Sequence, residues 1–468
     1  MKQIIPESDK DLPHPPPLKK LIGPSFILLG LGLGSGELIL WPYLSANFGL
    51  GIIWGAVIGI TLQFFLNMEI ERYTLATGES IFVGLSRIFK KFSAPWFMLT
   101  TFVPWVWPGL AASSAKLISY ATGIEYNKYL PIILLVFIGI ILSLGKYLYK
   151  TQEAFQKTII LVGIPFIVVL TLFLAKPVDY ASLTKGLIGV GNGFWLIPSG
   201  ISFATFLGAL AYAGAGGNLN LSQSYYIKEK GFGMGAHTGK ISSLFSNQKQ
   251  NLKLEGALFK NSLENIKVFK LWWKRINLEH GLVFWMTGTI TMLLLSLLSY
   301  ITTYKRGGSV TSDINFLFSE SLHISEKTSP YIGTAFLLIA ALMLFGTQFS
   351  VYASTSRILS ENLVISSVKK FKIENLSKYF YIFLWLQIIG GAIIFLAGFS
   401  EPLTLVVMGG VMNAATMFIY TIMVYILNTK TLPKMIGPSL VRRVIMIAAI
   451  LFYGGFSIFT IAKNLFRF

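Results

Sequence analysis

A single carboxylate, Glu37, stands inside the apolar run LLGLGLGSGELILWP from Leu28 to Pro42, with glycine at positions 30, 32, 34 and 36. At bilayer depth a carboxylate costs at least about 2.5 kcal/mol, so it needs a partner or a function. Each of the four glycines disfavours helix by about 1 kcal/mol relative to alanine, and the stretch around Gly34, Ser35 and Gly36 is expected to unwind. Unwound carbonyls and amides are tolerated in hydrocarbon only when buried in protein or lining an aqueous cavity. A bound ligand would satisfy them. The plainer alternative is that small residues here let helices pack closely.

A second polar interruption, ALAYAGAGGNLNLSQSYY from Ala209, sets Asn218 and Asn220 beside a glycine cluster. Lys116, within WPGLAASSAKLISYA, is a further charge in an apolar span. It could pair with Glu37, serve as a fixed substitute for a coupling cation, or snorkel out of its helix end. Gln348, Ser350, Ser354 and Asn413 could face a cavity or simply hydrogen-bond between helices. Glu69, Glu71 and Arg72 read as a solvated cluster at the inner surface. His14, His237, His280 and His323 fall outside the predicted spans, leaving no intramembrane histidine ligand.

The elements that carry these residues are membrane spans. Of 468 residues 54% are apolar and 13% charged, with mean hydropathy +0.65, outside the soluble range. Stretches of the length needed to cross a bilayer recur eleven times: 21–43, 50–73, 95–122, 130–149, 156–175, 196–227, 281–304, 329–355, 378–398, 402–427 and 441–463. The expected class is therefore all-α and polytopic. The tail 1–20 lacks the apolar core of a signal peptide and should stay cytosolic.

Placing the N-terminus inside puts 30 of the 39 Lys and Arg on cytosolic segments, as positive loops require. The net charge of +19 thus reports topology. Nucleic acid is not an expected partner, since no basic face interleaved with aromatics stands in a soluble domain. An eleven-span chain then ends outside, in what we expect to be the plasma membrane. With no cysteines, thiol catalysis and thiolate metal sites are excluded. One long insertion, 228–280, carries Phe259, Leu263, Ile266, Phe269, Trp273 and Ile276 at helical spacing beside Lys260, Lys267 and Lys274. It reads as a basic amphipathic helix on the anionic inner leaflet.

The two interrupted spans are the first and the sixth. Five helices apart, they start two halves that enter the membrane from opposite sides, an inverted repeat. Repeat one is expected over about 21–175 and repeat two over 196–427, within one transporter domain 21–463 whose last helix, 441–463, is an addition. Matched interruptions in two halves point to a binding site at the midplane.

The segments GPSFILLGLGLGSGE, ERYTLATGES, GGNLNLSQS and LMLFGTQFSVYASTSRILSENL together resemble the Nramp family of metal-ion transporters. The resemblance spreads over the first ten helices and implies a LeuT-type fold, a 5+5 inverted repeat with broken helices 1 and 6. Where the family carries Asp-Pro-Gly-Asn, this chain has Gly34, Ser35, Gly36 and Glu37. For Met-Pro-His-Asn it has Ala215, Gly216, Gly217 and Asn218. The soft thioether is missing, so Glu37, the Asn218 amide oxygen and carbonyls near Gly34 and Tyr212 would form an all-oxygen site for a harder ion such as Mg²⁺ or Mn²⁺. Where family members carry acidic residues linked to proton movement stand Ser113 and Lys116. The lysine would repel a metal ion, which puts family-type metal transport and proton coupling in question.

The expected function is secondary-active divalent-cation transport by alternating access, with no cofactor apart from the transported ion. The alternative is a carrier of a small organic or zwitterionic solute, with an anionic group at the helix-6 amides and a cationic group at Glu37. An enzyme is not expected, as no paired carboxylates or nucleophile motif appear. Neither is an ATP-driven pump, as no P-loop occurs. Oligomeric state and direction of transport stay open.

Overall fold

Apolar segments can enter hydrocarbon only when their backbone groups bond internally, which makes them helices. The computed structural model describes residues 5–144, 148–238, 254–307 and 313–466. Within them the regular structure is helical, apart from isolated bridges between Glu7 and Leu258 and between Val190 and Trp195.

The spans are α1 (Pro24–Phe48), α2 (Trp54–Thr77), α3 (Ser93–Trp105 and Gly109–Thr122), α4 (Tyr129–Leu144), α5 (Leu148–Leu174), α6 (Phe203–Ala211 and Gln223–Lys230), α7 (Leu263–Thr302), α8 (Pro330–Ser366), α9 (Leu376–Leu396), α10 (Pro402–Thr431) and α11 (Leu440–Phe466). Eight of these are long and apolar enough to cross a bilayer, α4 is a shorter apolar helix, and α3 and α6 are each in two pieces, so the eleven expected segments are all helical among the described residues. α3 divides at Val106–Pro108, where prolines 104 and 108 remove helix donors. α1 and α6 lie at the centre: α1 packs on α5, α7 and α8, α6 packs on α2 and α10, and α8 packs against α3.

The insertion 228–280 departs from expectation. Its helix, Leu263–His280, is not a separate surface anchor but runs through a π-helical turn, Gly281–Met286, straight into the membrane part of α7. Ile266, Phe269 and Ile276, expected to face lipid, are buried against protein. The N-terminal tail covers part of that helix. Trp272 Nε1 donates to Pro13 O at 2.5 Å, Arg275 Nη1 to Pro15 O at 2.7 Å, and Leu12 N to Asn265 Oδ1 at 3.0 Å. Part of the insertion's basic loop lies outside the described residues.

Candidate functional site

The first expected break is not unwound. Leu33–Leu40 is π-helical, with Trp41 N–H donating to Gly36 O, so the wider i→i+5 ladder accommodates the sequence while keeping backbone groups bonded. The glycines serve close approach. A Cβ at Gly36 would stand 1.7 Å from Tyr212 O, one at Gly32 2.7 Å from Gly214 O, and one at Gly34 2.8 Å from Thr347 Oγ1. These positions press α1 against α6 and α8, as the packing alternative foresaw.

The second break is real. α6 stops at Ala211, resumes as a 3₁₀ turn over Gly217–Ser222 and returns to α-helix at Gln223. Gly216 and Gly217 have φ of 77° and 51°, which L-residues rarely adopt. Gln63 on α2 bridges the gap, donating from Nε2 to Ala211 O at 2.9 Å and accepting Gly216 N–H at Oε1 at 3.3 Å. Sequence reasoning missed Gln63. Nothing in the sequence singled it out, since Asn67, Glu69, Glu71 and Arg72 also interrupt the second span. Asn413 of α10 lies on the far side, its Nδ2 donating to Tyr212 Oη at 3.0 Å.

Glu37 is fully buried, and neither carboxylate oxygen has a hydrogen-bond partner among the described residues. A Cβ at Gly288 of α7 would be 3.3 Å from its Oε1. Asn218 looks elsewhere: its Nδ2 donates to Thr100 Oγ1 at 3.0 Å and Thr101 Oγ1 at 2.9 Å on α3, leaving Oδ1 unpartnered. The structure therefore brings Gly36 against Tyr212, sets the Glu37 carboxylate beside Gly288 of α7, and holds the Asn218 amide on α3. Ser35, Ala215, Gly217 and Gln348 are also buried. The Ser113 hydroxyl is spent on Gly109 O in its own helix, at 2.8 Å.

Lys116 does not meet Glu37. Its Nζ is 2.6 Å from Asp313 Oδ2, and Asp313 Oδ1 accepts Leu403 N–H at 2.8 Å, so the lysine ties α3 to the segment before α8 and to the start of α10. Its charge is matched outside the candidate site, which removes its repulsion of a cation from the local account. Two further expectations are corrected. Glu69, Glu71 and Arg72 are buried rather than solvated, because the Leu263–His280 part of α7 and the start of α11 cover them. His280 is fully buried in α7, 2.8 Å from Ser25 Oγ, because α7 is helical well before residue 281.

Comparison with solved structures identifies the architecture. A manganese transporter of Eremococcus coleocola, as a histidine-to-alanine mutant, superposes with a TM-score of 0.70 over 98% of this chain and 91% of its own, at 11% identity. Mhp1, a nucleobase-cation-symport-1 family transporter with bromovinylhydantoin bound, gives 0.56 over 99% and 96% at 12% identity. MhsT in complex with L-phenylalanine gives 0.51 over 94% and 98% at 12% identity. The chain has the LeuT-type fold. It is an integral membrane protein with the 5+5 arrangement expected from its two interrupted spans. No protein-family profile and no curated protein sequence matches the chain.

Proposed function

We propose that this LeuT-type protein is a secondary-active transporter of divalent cations with a preference for harder ions, working by alternating access around the α1–α6 interface. One observation carries the reading: a carboxylate buried inside the bundle, its Oε1 against Gly288 of α7 and one residue beyond the Gly36 contact between α1 and α6, with no hydrogen-bond donor among the described residues on either oxygen. Such a group calls for a positive charge, and a cation arriving from solution supplies it. The resemblance to Nramp transporters and the fold shared with a manganese transporter support the same substrate class.

In this reading Glu37 is the charged ligand. Backbone carbonyls at Gly34 and Tyr212, the Ser35 hydroxyl and the Asn218 amide oxygen are the neutral candidates, with Ala215, Gly216 and Gly217 shaping the approach. With a single carboxylate the ion would keep several waters, as Mg²⁺ commonly does. The repeat limits 21–175 and 196–427, the inside N-terminus and the outside C-terminus belong to the same proposal. No chemistry on the cargo is assigned.

A rival has an observation of its own. Among the described residues no three of His, Cys, Asp and Glu gather as a metal cluster, and Mhp1 and MhsT are seen with organic ligands. A small zwitterion would put its cationic group at Glu37 and its anionic group at the amides around Gly216–Asn218. Uptake of Mg²⁺ and Mn²⁺ into proteoliposomes, wild type beside Glu37→Gln with an internal pH dye, separates the two. Divalent flux lost in the variant supports the cation reading. Full flux in the variant, or none in wild type under any gradient, refutes it.

A further inference from the structure

The cytosolic ends of α1, α2, α6 and α7 enclose a second polar cluster that the substrate site does not use. Ser25 opens α1, Glu71 lies near the end of α2, Gln223 begins the second half of α6, and Glu279 and His280 precede the membrane part of α7. All five are buried. Ser25 Oγ is 2.5 Å from Glu279 Oε2 and 2.8 Å from His280 Nδ1. His280 Nδ1 is 3.4 Å from Glu71 Oε1, which accepts Gln223 Nε2–H at 2.7 Å. Phe64 and Phe284 stack on the imidazole, with centroids at 5.6 and 4.7 Å, and fix its plane.

The donors limit where protons can be. Ser25 has one hydroxyl hydrogen. If it goes to the Glu279 carboxylate, His280 must carry its hydrogen on Nδ1 to serve Ser25 Oγ, with Glu71 sharing it. His280 Nε2 is then a bare acceptor. Among the described residues neither that nitrogen nor Glu279 Oε1 has a partner, although both are buried. The surrounding fixed cations are engaged elsewhere. Arg442, facing Glu71 from α11, and Arg72 on α2 both bond Glu69. Lys157 of α5 and Lys230 of α6, facing Glu279, both bond Glu153.

We propose that Glu279, Ser25, His280 and Glu71 form a proton-binding relay at the cytosolic mouth, whose occupancy decides whether the end of α1 stays pinned to α2 and α7. A proton from cytosolic water adds to His280 Nε2, imidazole becomes imidazolium, and the charge of the cluster rises by one. The imidazolium then stands beside Glu71 and between the faces of Phe64 and Phe284, with Glu279 reached through Ser25. Its loss leaves Glu71 and Glu279 facing each other through a neutral ring and loosens the pin. The gating consequence rests on the transporter reading above; the proton site does not.

The test is an infrared pH titration of the reconstituted full chain, wild type beside His280→Gln and the milder Ser25→Ala. An imidazole titration absent from His280→Gln and moved by about one pH unit or more in Ser25→Ala is expected. Because the chain has no cysteine, a Phe26→Cys substitution then reports the end of α1. Its labelling from the cytosolic side should rise severalfold as pH is raised, and the rise should flatten when Ser25→Ala is added. No titration assignable to His280, a midpoint indifferent to Ser25→Ala, a midpoint displaced by Na⁺ or Mg²⁺, or labelling independent of pH would each overturn the proposal. Absent divalent flux with the His280 titration intact sinks only the substrate reading.

Discussion

Gly36 makes the tightest backbone contact described between α1 and α6, and it can be tested with one methyl group. In Gly36→Ala the new Cβ would lie 1.7 Å from Tyr212 O, and Cβ contacts essentially never fall below 3.0 Å. The difference, 3.0 less 1.7, means that the two backbones must part by at least 1.3 Å. No rotamer change relieves it, since the obstacle is a carbonyl. Overpacking of this kind costs about 1–3 kcal/mol, and a backbone clash belongs at the upper end. Gly208→Ala is the control within the same pair of helices, because its Cβ would find its nearest neighbours at 3.7 Å, ordinary contact. There the helix penalty of glycine is removed and up to about 1 kcal/mol is gained. The two alanine variants should therefore differ by roughly 2–4 kcal/mol in opposite directions from wild type. Thermal unfolding of the detergent-solubilised protein, followed by tryptophan fluorescence, gives the order of apparent melting temperatures. Gly36→Ala melting at or above wild type would show that α1 and α6 do not meet as described.

Three further outcomes are expected. Gln63→Leu keeps the volume but strips both bonds across the α6 break; about 1–3 kcal/mol for each group left unsatisfied should lower the melting temperature and abolish flux, whereas Gln63→Glu should retain the acceptor half. Lys116→Ala removes the pair with Asp313. Because the lysine and aspartate side chains are only 21% and 9% exposed, removing the lysine leaves a largely buried carboxylate unpaired, so stability should fall by more than the roughly 1 kcal/mol of a surface pair, and labelling of the mouth beside Asp313 should rise, a change that a Lys116–Glu37 pair would not produce. Glu320, on the helix Asn315–Lys327 between α7 and α8, is pushed up to about 8 by burial, despite its bond from the Ser299 hydroxyl. The folded state then holds a proton that the unfolded chain releases above about pH 4.5, so this site's contribution to stability should decline between about pH 4.5 and about 8 and level off beyond. A Glu320→Gln variant that still shows that decline would assign it to another group.

Much of the architecture was readable because bilayer thickness, glycine clusters and the placement of lysine and arginine each leave a one-dimensional trace. The class, the eleven spans and the special standing of the first and sixth helices all follow from such traces. What escaped was decided by contacts between distant segments. Four glycines in α1 are equally consistent with unwinding and with packing, and only the positions of Tyr212, Gly214 and Thr347 choose packing. Lys116 was open to pairing with Glu37, to standing in for a coupling cation or to snorkelling, and its actual partner, Asp313, is 197 residues away in a loop. His280 was discarded because the hydrophobic run begins after it, while the helix itself begins at Leu263 and carries it into the bundle. Gln63 drew no notice because an amide has no signature until the break it bridges is in view.

The two central helices meet the cost of irregularity differently, and this assigns them different parts in any movement. α1 keeps its ladder through the π segment, so Glu37 sits on a hydrogen-bonded rod whose N-terminal end carries Ser25. α6 gives up its ladder, and its two halves are joined by glycines in left-handed conformations and steadied from outside by Gln63 and Asn413. A rod transmits displacement along its length, whereas a glycine joint absorbs it by rotation about φ and ψ. Motion of the N-terminal end of α1 would therefore reach Glu37 directly, and α6 would accommodate it by bending at Gly216 and Gly217. Because Gly36 rests on Tyr212 O immediately before that joint, the two helices cannot separate at the candidate site without losing their closest contact. Tilting of α1 about the Gly36–Tyr212 contact, rather than sliding along it, is the displacement this packing permits.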